Sequence, residues 1–162
     1  MGVQVFTDLL IWQRARQWQK AIFPHTEHGR FAADRRLVEQ INASSASVMA
    51  NIAEGFGRGT QGEFVQFLGY AIGSLNETQS HLTVAYDRGY VGRDDYGPLF
   101  AEGTVIRKMT VSFLSNMVLG GSGVKNTRKP TKSWPEQVWE LYERVTGKPR
   151  PQRVDVPQRV EA

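Results

Sequence analysis

Residues 60–89, TQGEFVQFLGYAIGSLNETQSHLTVAYDRG, decide the fold. Thr60 and Glu63 form a T-x-x-E capping box, in which each side chain satisfies a free backbone amide of the other's turn, so a helix starts here. Phe64, Phe67, Leu68, Ala71, Ile72, Leu75, Leu82 and Ala85 then recur at helical spacing and share one face. Gly89 supplies a C-terminal stop. The predicted helix is about 27 residues long, roughly 40 Å at about 1.5 Å per residue.

Upstream, a second helix is predicted from Arg35 to Glu54, with Leu37, Val38, Ile41, Ser45, Val48 and Ile52 on its inner face. Gly55 is expected to end it by taking a positive φ. Further upstream, Thr7 or Asp8 is the expected cap of a first helix running through LIWQRARQWQKAIF. Leu9, Trp12, Ala15, Gln19 and Ile22 form its stripe, with Arg14, Arg16 and Lys20 off it. Pro24 stops it, and PHTEHGRFAADR reads as a polar connection. Downstream, a fourth helix is expected from Asp94 or Asp95, with Pro98 tolerable because it falls in the first turn. Leu99, Phe100, Ile106, Met109, Phe113 and Met117 supply its core face, and GGSG at 120–123 breaks it. No β-alternation of useful length appears. Four helices with short connections predict an all-α, antiparallel up-and-down four-helix bundle over residues 1–119. Residues 120–162 read as a basic linker, a short amphipathic helix that Ser133 caps, carrying Val138, Leu141, Tyr142 and Val145, and a flexible tail rich in Pro and Arg.

Charge sharpens the picture. The second helix has 14 consecutive uncharged residues from Gln40, the third has 13 from Phe64, and residues 109–124 add another 16. A lone bundle normally turns Lys and Glu outward on every helix, so surfaces this neutral are expected to meet protein. Gly69 and Gly73, four apart in mid-helix, join Ser74 in a strip of small residues that permits close backbone approach. Ala43, Ser44, Ser47 and Ala50 form a similar strip on the second helix. The competing reading is that these residues only let the two helices pack tightly within one subunit. Asn51, Glu54 and Glu77, polar groups in neutral surroundings, need partners there and read as a structural network or, as the alternative, as contacts for a ligand or partner.

The 162 residues allow one domain with appendages. Cys is absent, which removes disulfides, thiolate metal sites and Cys nucleophiles. No signal-peptide pattern and no membrane-length apolar run occurs, so a cytoplasmic protein is the expectation. Residues 1–119 carry 11 Lys and Arg against 11 Asp and Glu, whereas 120–162 carry 9 against 5, so the excess positive charge is C-terminal. A basic balance favours phosphate contacts.

Enzyme and cofactor patterns are weak. GFGRG at 55–59 follows a predicted helix, not the strand that a dinucleotide loop requires. His25, Glu27 and His28 sit in a connection and His81 on another helix, with no H-E-x-x-H spacing, so no metal is expected. There is no G-x-S-x-G nucleophile elbow. No cofactor is predicted. Trp12 is expected in the core and Trp18, off the main stripe, at a subunit contact. Trp134 and Trp139, in a basic segment, suit nucleic acid, a docking site on a partner, or packing of the tail helix on its own bundle.

Several strings carry a resemblance. FTDLLIWQRAR at 6–16, NIAEGFGR at 51–58, Glu63 with Phe64, and AIGSLNE at 71–77 resemble the small four-helix-bundle proteins first noticed in intervening sequences of bacterial 23S ribosomal RNA genes. The likeness spans residues 6–119. It implies a homopentamer of antiparallel bundles without catalytic activity. It also implies kinship with accessory proteins of diversity-generating retroelements, which bind a reverse transcriptase and nucleic acid through a basic surface. Relatives often carry a basic pair where this chain has Asn42 and Ala43. Arg58 does match the family string.

The expected function is therefore a non-enzymatic homo-oligomeric scaffold, pentameric, that binds RNA or DNA or a nucleic-acid enzyme such as a reverse transcriptase, with no membrane partner. The expected contacts are Arg14, Arg16, Lys20, Arg58, Arg107 and Lys108 on the bundle and Lys125, Arg128, Lys129 and Lys132 in the linker. Asn51, Glu54, Gly55, Gly69, Gly73, Ser74 and Glu77 are the expected interface or structural motif. The alternative is a protein-binding assembly that presents its C-terminal segment to a partner chain.

Overall fold

A computed structural model describes residues 3–119, together with residues 143, 144, 147 and 149. Among the described residues the chain is almost wholly helical and has no β-strand. A 3-10 turn at Phe6–Asp8 leads into α1 (Leu10–Ile22), and a second at Phe23–Thr26 leads into the short α2 (Gly29–Ala33). Three long helices follow: α3 (Arg35–Gly57), α4 (Gln61–Asp87) and α5 (Arg93–Val118). The four longer helices form the expected bundle.

α3 and α4 are an antiparallel hairpin and the centre of the molecule. Ile41, Val48 and Ile52 of α3 meet Phe64, Leu68, Ala71 and Leu75 of α4 in a core closed to water. Hydroxyls interlock beside it: Thr78 Oγ1 donates to Ser44 Oγ at 2.9 Å, and Ser74 Oγ donates to Ser47 Oγ at 3.1 Å. Thr60 caps α4 as predicted, its Oγ1 accepting the Glu63 amide at 3.3 Å. At the far end Gly89, at φ 67°, closes a Schellman motif: its amide donates to the Tyr86 carbonyl, and the Tyr90 amide to Ala85, both at 2.8 Å.

Several expectations change. Gly55 does not end α3 and has no positive φ; it lies buried inside the helix because a Cβ there would fall 2.5 Å from Phe67 Cβ. The left-handed glycine of the turn is Gly59, at φ 75°. Neither Thr7 nor Asp8 caps α1: Leu9 holds the cap position, and the preceding residues form the 3-10 turn instead. The polar connection contains a helical turn of its own, α2, whose Phe31 is buried and stacks on Tyr90 at 5.3 Å. Asp34 opens α3 by accepting the Leu37 amide at 3.3 Å.

α5 starts at Arg93 behind Gly92, so Pro98 is its sixth residue and lies in the second turn. Pro98 is exposed, which leaves the Asp94 carbonyl opposite it accessible to water. The predicted C-terminal helix lies outside the described residues, except that Glu143 and Arg144 have helical backbone.

The stripe of α1 is turned from its predicted position. Trp18, not Trp12, fills the core; it is 1 % exposed and its Nε1 donates to the Leu99 carbonyl at 2.7 Å. Trp12 is half-buried, edge-on to Phe6 at 5.2 Å. Gly103 lets α5 approach this indole, since a Cβ there would meet Trp18 Cζ2 at 2.6 Å. Gln79 Nε2 donates to the Phe100 carbonyl and Thr104 Oγ1, both at 2.9 Å, tying α4 to α5.

Candidate subunit and nucleic-acid surfaces

The small-residue strips divide between two environments. Ser44, Ser45 and Ser74 are buried and bonded within the subunit, as the tight-packing reading expects. Gly73 is exposed, and an added Cβ would meet nothing within 4 Å. Gly69 is half-buried. The outward positions of α3 between its charged ends are Gln40, Ala43 and Ala50. Those of α4 include Gln66, Tyr70, Gly73, Asn76 and Ser80. Tyr70 is 48 % exposed, its hydroxyl accepting from Gln66 Nε2 at 2.7 Å. Glu77 is outward as well; apart from it, the outward positions between Gln40 and Ala50 and between Gln66 and Ser80 are neutral and, at Ala43, Ala50 and Gly73, small.

The motif polar groups find local partners. Asn51 Nδ2 donates to the Ser47 carbonyl at 2.9 Å, one turn back in the same helix. Glu54 pairs with Arg58, and the Arg58 guanidinium also lies 5.2 Å from the centre of the Phe67 ring. Both partners are about half exposed, so this pair contributes little to stability. Glu77 Oε1 lies 3.6 Å from His81 Nε2, a buried atom with no hydrogen-bond partner.

The expected cations are not one patch. Arg14 is held by Glu102 of α5 through two contacts, Nε at 2.8 Å and Nη2 at 2.7 Å. Hydrogen bonding to Glu102 and its charge raise the Arg14 pKa against a small burial effect. Its charge is thus offset within the subunit. Arg16 lies 5.9 Å from the centre of the Trp12 ring, and Arg16 and Lys20 are one turn apart on exposed positions of α1. On α5, Lys108 is exposed and Arg107 half-buried on the stripe that carries Phe100 and Thr104 toward α4. Arg16, Lys20, Arg107 and Lys108 make no ion pair among the described residues. Lys125, Arg128, Lys129 and Lys132 lie outside the described residues.

One charged cluster escaped the sequence reading. Asp34 accepts the Leu37 amide, pairs with Arg88 and accepts the Tyr90 hydroxyl at 3.2 Å. Burial pushes its carboxyl up, but these three donors outweigh that and hold it below the ordinary aspartate value. The cluster ties the start of α3 to the end of α4. Asp34 before an apolar run carried a cap signal in the sequence; Arg88 and Tyr90, more than fifty residues away, carried none.

No group of three His, Cys, Asp or Glu among the described residues is placed to hold a metal ion. His25 and His28 line a shallow pocket with Arg30 and Tyr90, and His81 lies outside it on α4. No helix among the described residues is long and apolar enough to cross a membrane.

Comparison with known proteins converges on one family. The sequence profile described as 23S rRNA-intervening sequence protein matches residues 7–112. Among solved structures, a protein of unknown function from the S23 ribosomal protein family of Bacteroides thetaiotaomicron superposes with a TM-score of 0.57 at 20 % identity. The match covers 65 % of this chain and 98 % of that one. At that identity the likeness speaks to the fold. No curated protein matches the sequence.

Proposed function

The chain belongs to the 23S rRNA-intervening sequence protein family, and from that premise we propose that it is a non-enzymatic helical scaffold, homopentameric, that engages nucleic acid or a nucleic-acid enzyme such as a reverse transcriptase. One observation carries the reading: the α3–α4 hairpin turns a neutral strip outward at Ala43, Ala50, Tyr70 and Gly73, where a solitary bundle would place Lys and Glu. The open space over Gly73 leaves room there for a neighbouring helix. Kinship with retroelement accessory proteins and a cytoplasmic setting belong to the same reading.

Nucleic-acid contact is assigned to Arg16, Lys20 and Lys108, whose charges no described carboxylate offsets, together with Arg58, Arg107 and the linker cations. Arg14 and Arg58 contribute less, because Glu102 and Glu54 already hold them. Such contacts bind phosphate with little sequence preference.

Native mass measurement tests the scaffold. The expected value is five times the 18.2 kDa of one chain. Tyr70→Asp or Gly73→Arg, at exposed positions, should lower it without unfolding the helices. A stable single-chain mass at micromolar concentration would remove the proposal.

A further inference from the structure

A groove runs between the start of α1 and the end of α5. Val3, Leu9, Leu10, Ile11, Met109 and Phe113 line it, and it encloses about 430 Å³. Leu10 beside it is 62 % exposed, more than any other described large apolar side chain of the bundle. Water is a poor neighbour for such a surface, so something that belongs to the native protein should cover it.

The course of the chain identifies the cover. Continuous description of the bundle stops at Leu119, itself 60 % exposed, directly after α5. From Phe113 in the groove wall to Leu119 is about 9 Å along the helix, at about 1.5 Å per residue. Residues 120–132, GGSGVKNTRKPTK, can span up to roughly 43 Å at about 3.3 Å per residue, and their glycines allow the chain to turn back.

The next segment, SWPEQVWELYERVTGK at 133–148, places Trp134, Val138, Leu141 and Val145 at intervals of four, three and four. That is one apolar stripe on a helix. The described residues within it agree: Glu143 and Arg144 are helical and exposed, and Gly147, at φ 66°, donates its amide to the Glu143 carbonyl at 2.8 Å, as at a glycine-capped helix end.

We propose that residues 133–146 of the same chain lie as a helix in the α1–α5 groove, with Trp134, Val138, Leu141 and Val145 against Leu10, Met109 and Phe113. The occupant is set by tethering: a segment joined through thirteen residues acts at an effective concentration of about millimolar, above that of the same segment on an unlinked molecule at low micromolar concentration. Helix-in-groove recognition needs an apolar stripe of this spacing on one side and an apolar trough on the other. The inference stands apart from the proposed scaffold, since it concerns one chain.

The chain contains no cysteine, so a Leu10→Cys, Leu141→Cys double variant of the full chain has one thiol pair only. Oxidation at low micromolar concentration should give a disulfide within a single chain, seen as a compact monomer on denaturing electrophoresis without reductant. A Tyr70→Cys, Leu141→Cys control, with the first thiol on the α4 surface, should not form one. A cross-link joining two chains, equal cross-linking in the control, or none at all overturns the proposal. Hydrogen exchange reads the same contact without cysteines. Amides of 136–146 should exchange about tenfold faster after Leu10→Asp, a change at an exposed side chain that leaves the bundle folded. Unchanged exchange overturns it as well.

Discussion

The Trp18 indole occupies the space that a side chain at Gly103 would need: an ideal Cβ there would fall 2.6 Å from Trp18 Cζ2 and 3.1 Å from Gln79 Cγ. Alanine in an open helix position is favoured over glycine by about 1 kcal/mol. Here overpacking wins, because the ring is enclosed and its Nε1 is fixed to the Leu99 carbonyl. Gly103→Ala should lower stability by about 1–2 kcal/mol in urea unfolding. An unchanged or raised midpoint would show that α5 shifts freely and that the contact is not tight.

Two other helical glycines should behave oppositely. Gly55→Ala drives a Cβ to 2.5 Å from Phe67 Cβ, so it should destabilise by about 1–3 kcal/mol. Gly73→Ala meets no atom and should gain up to about 1 kcal/mol in the isolated subunit. Thermal unfolding of the two variants beside the parent protein decides the matter. The same sign for both would refute the division between a crowded and an open face.

Acid should weaken the junction of α3 and α4. The Asp34 carboxyl is held below its ordinary value, so its contribution is present above the unfolded pKa of about 3.9 and is lost as pH falls through the folded value. Asp34→Asn keeps an acceptor for the Leu37 amide and gives up the charge that pairs with Arg88. The stability gap between parent and variant should therefore be widest near neutrality and shrink below about pH 4. Urea midpoints measured across pH 3–6 supply the test; a constant gap would mean the charge is not what matters.

Nucleic-acid affinity, if the proposed function holds, should fall steeply with salt. Each phosphate contact removed should reduce the slope of log affinity against log salt by about 0.7–0.9. Arg16→Ala, Lys20→Ala and Lys108→Ala are each expected to reduce it. Arg14→Ala should matter less, since Glu102 neutralises that guanidinium. Titrations of single-stranded RNA and duplex DNA at several salt concentrations measure the slopes, and equal losses for Arg14 and Lys20 would contradict the assignment.

Local rules made most helices legible. The Thr60 cap, the stop at Gly89 and the apolar repeat between them depend on neighbours within one or two turns, and the structure places all three as the sequence implies; the other half of the box differs, the Glu63 carboxylate accepting the Thr60 hydroxyl at 2.6 Å and not its amide. The burial of Phe64, Leu68, Ala71, Ile72, Leu75, Leu82 and Ala85 follows from that repeat. The signal in Gly103 was present as a glycine inside a helical pattern, but a glycine alone does not say what approaches it.

What the sequence determined by itself is the four longer helices, their rough ends and their amphipathic character, because backbone hydrogen bonding and side-chain periodicity are short-range properties. Only the tertiary structure decided which edge of the α1 stripe points inward. Residues 12, 15, 19 and 22 of α1 satisfy helical spacing as well as 11, 15, 18 and 22 do, and the latter set is buried. Leu99 and Gly103, more than eighty residues downstream, select it by offering Trp18 a carbonyl and a gap. Gly55 obeys the same logic: its reason is Phe67 on the facing helix, a contact that appears only once two chain segments are packed together.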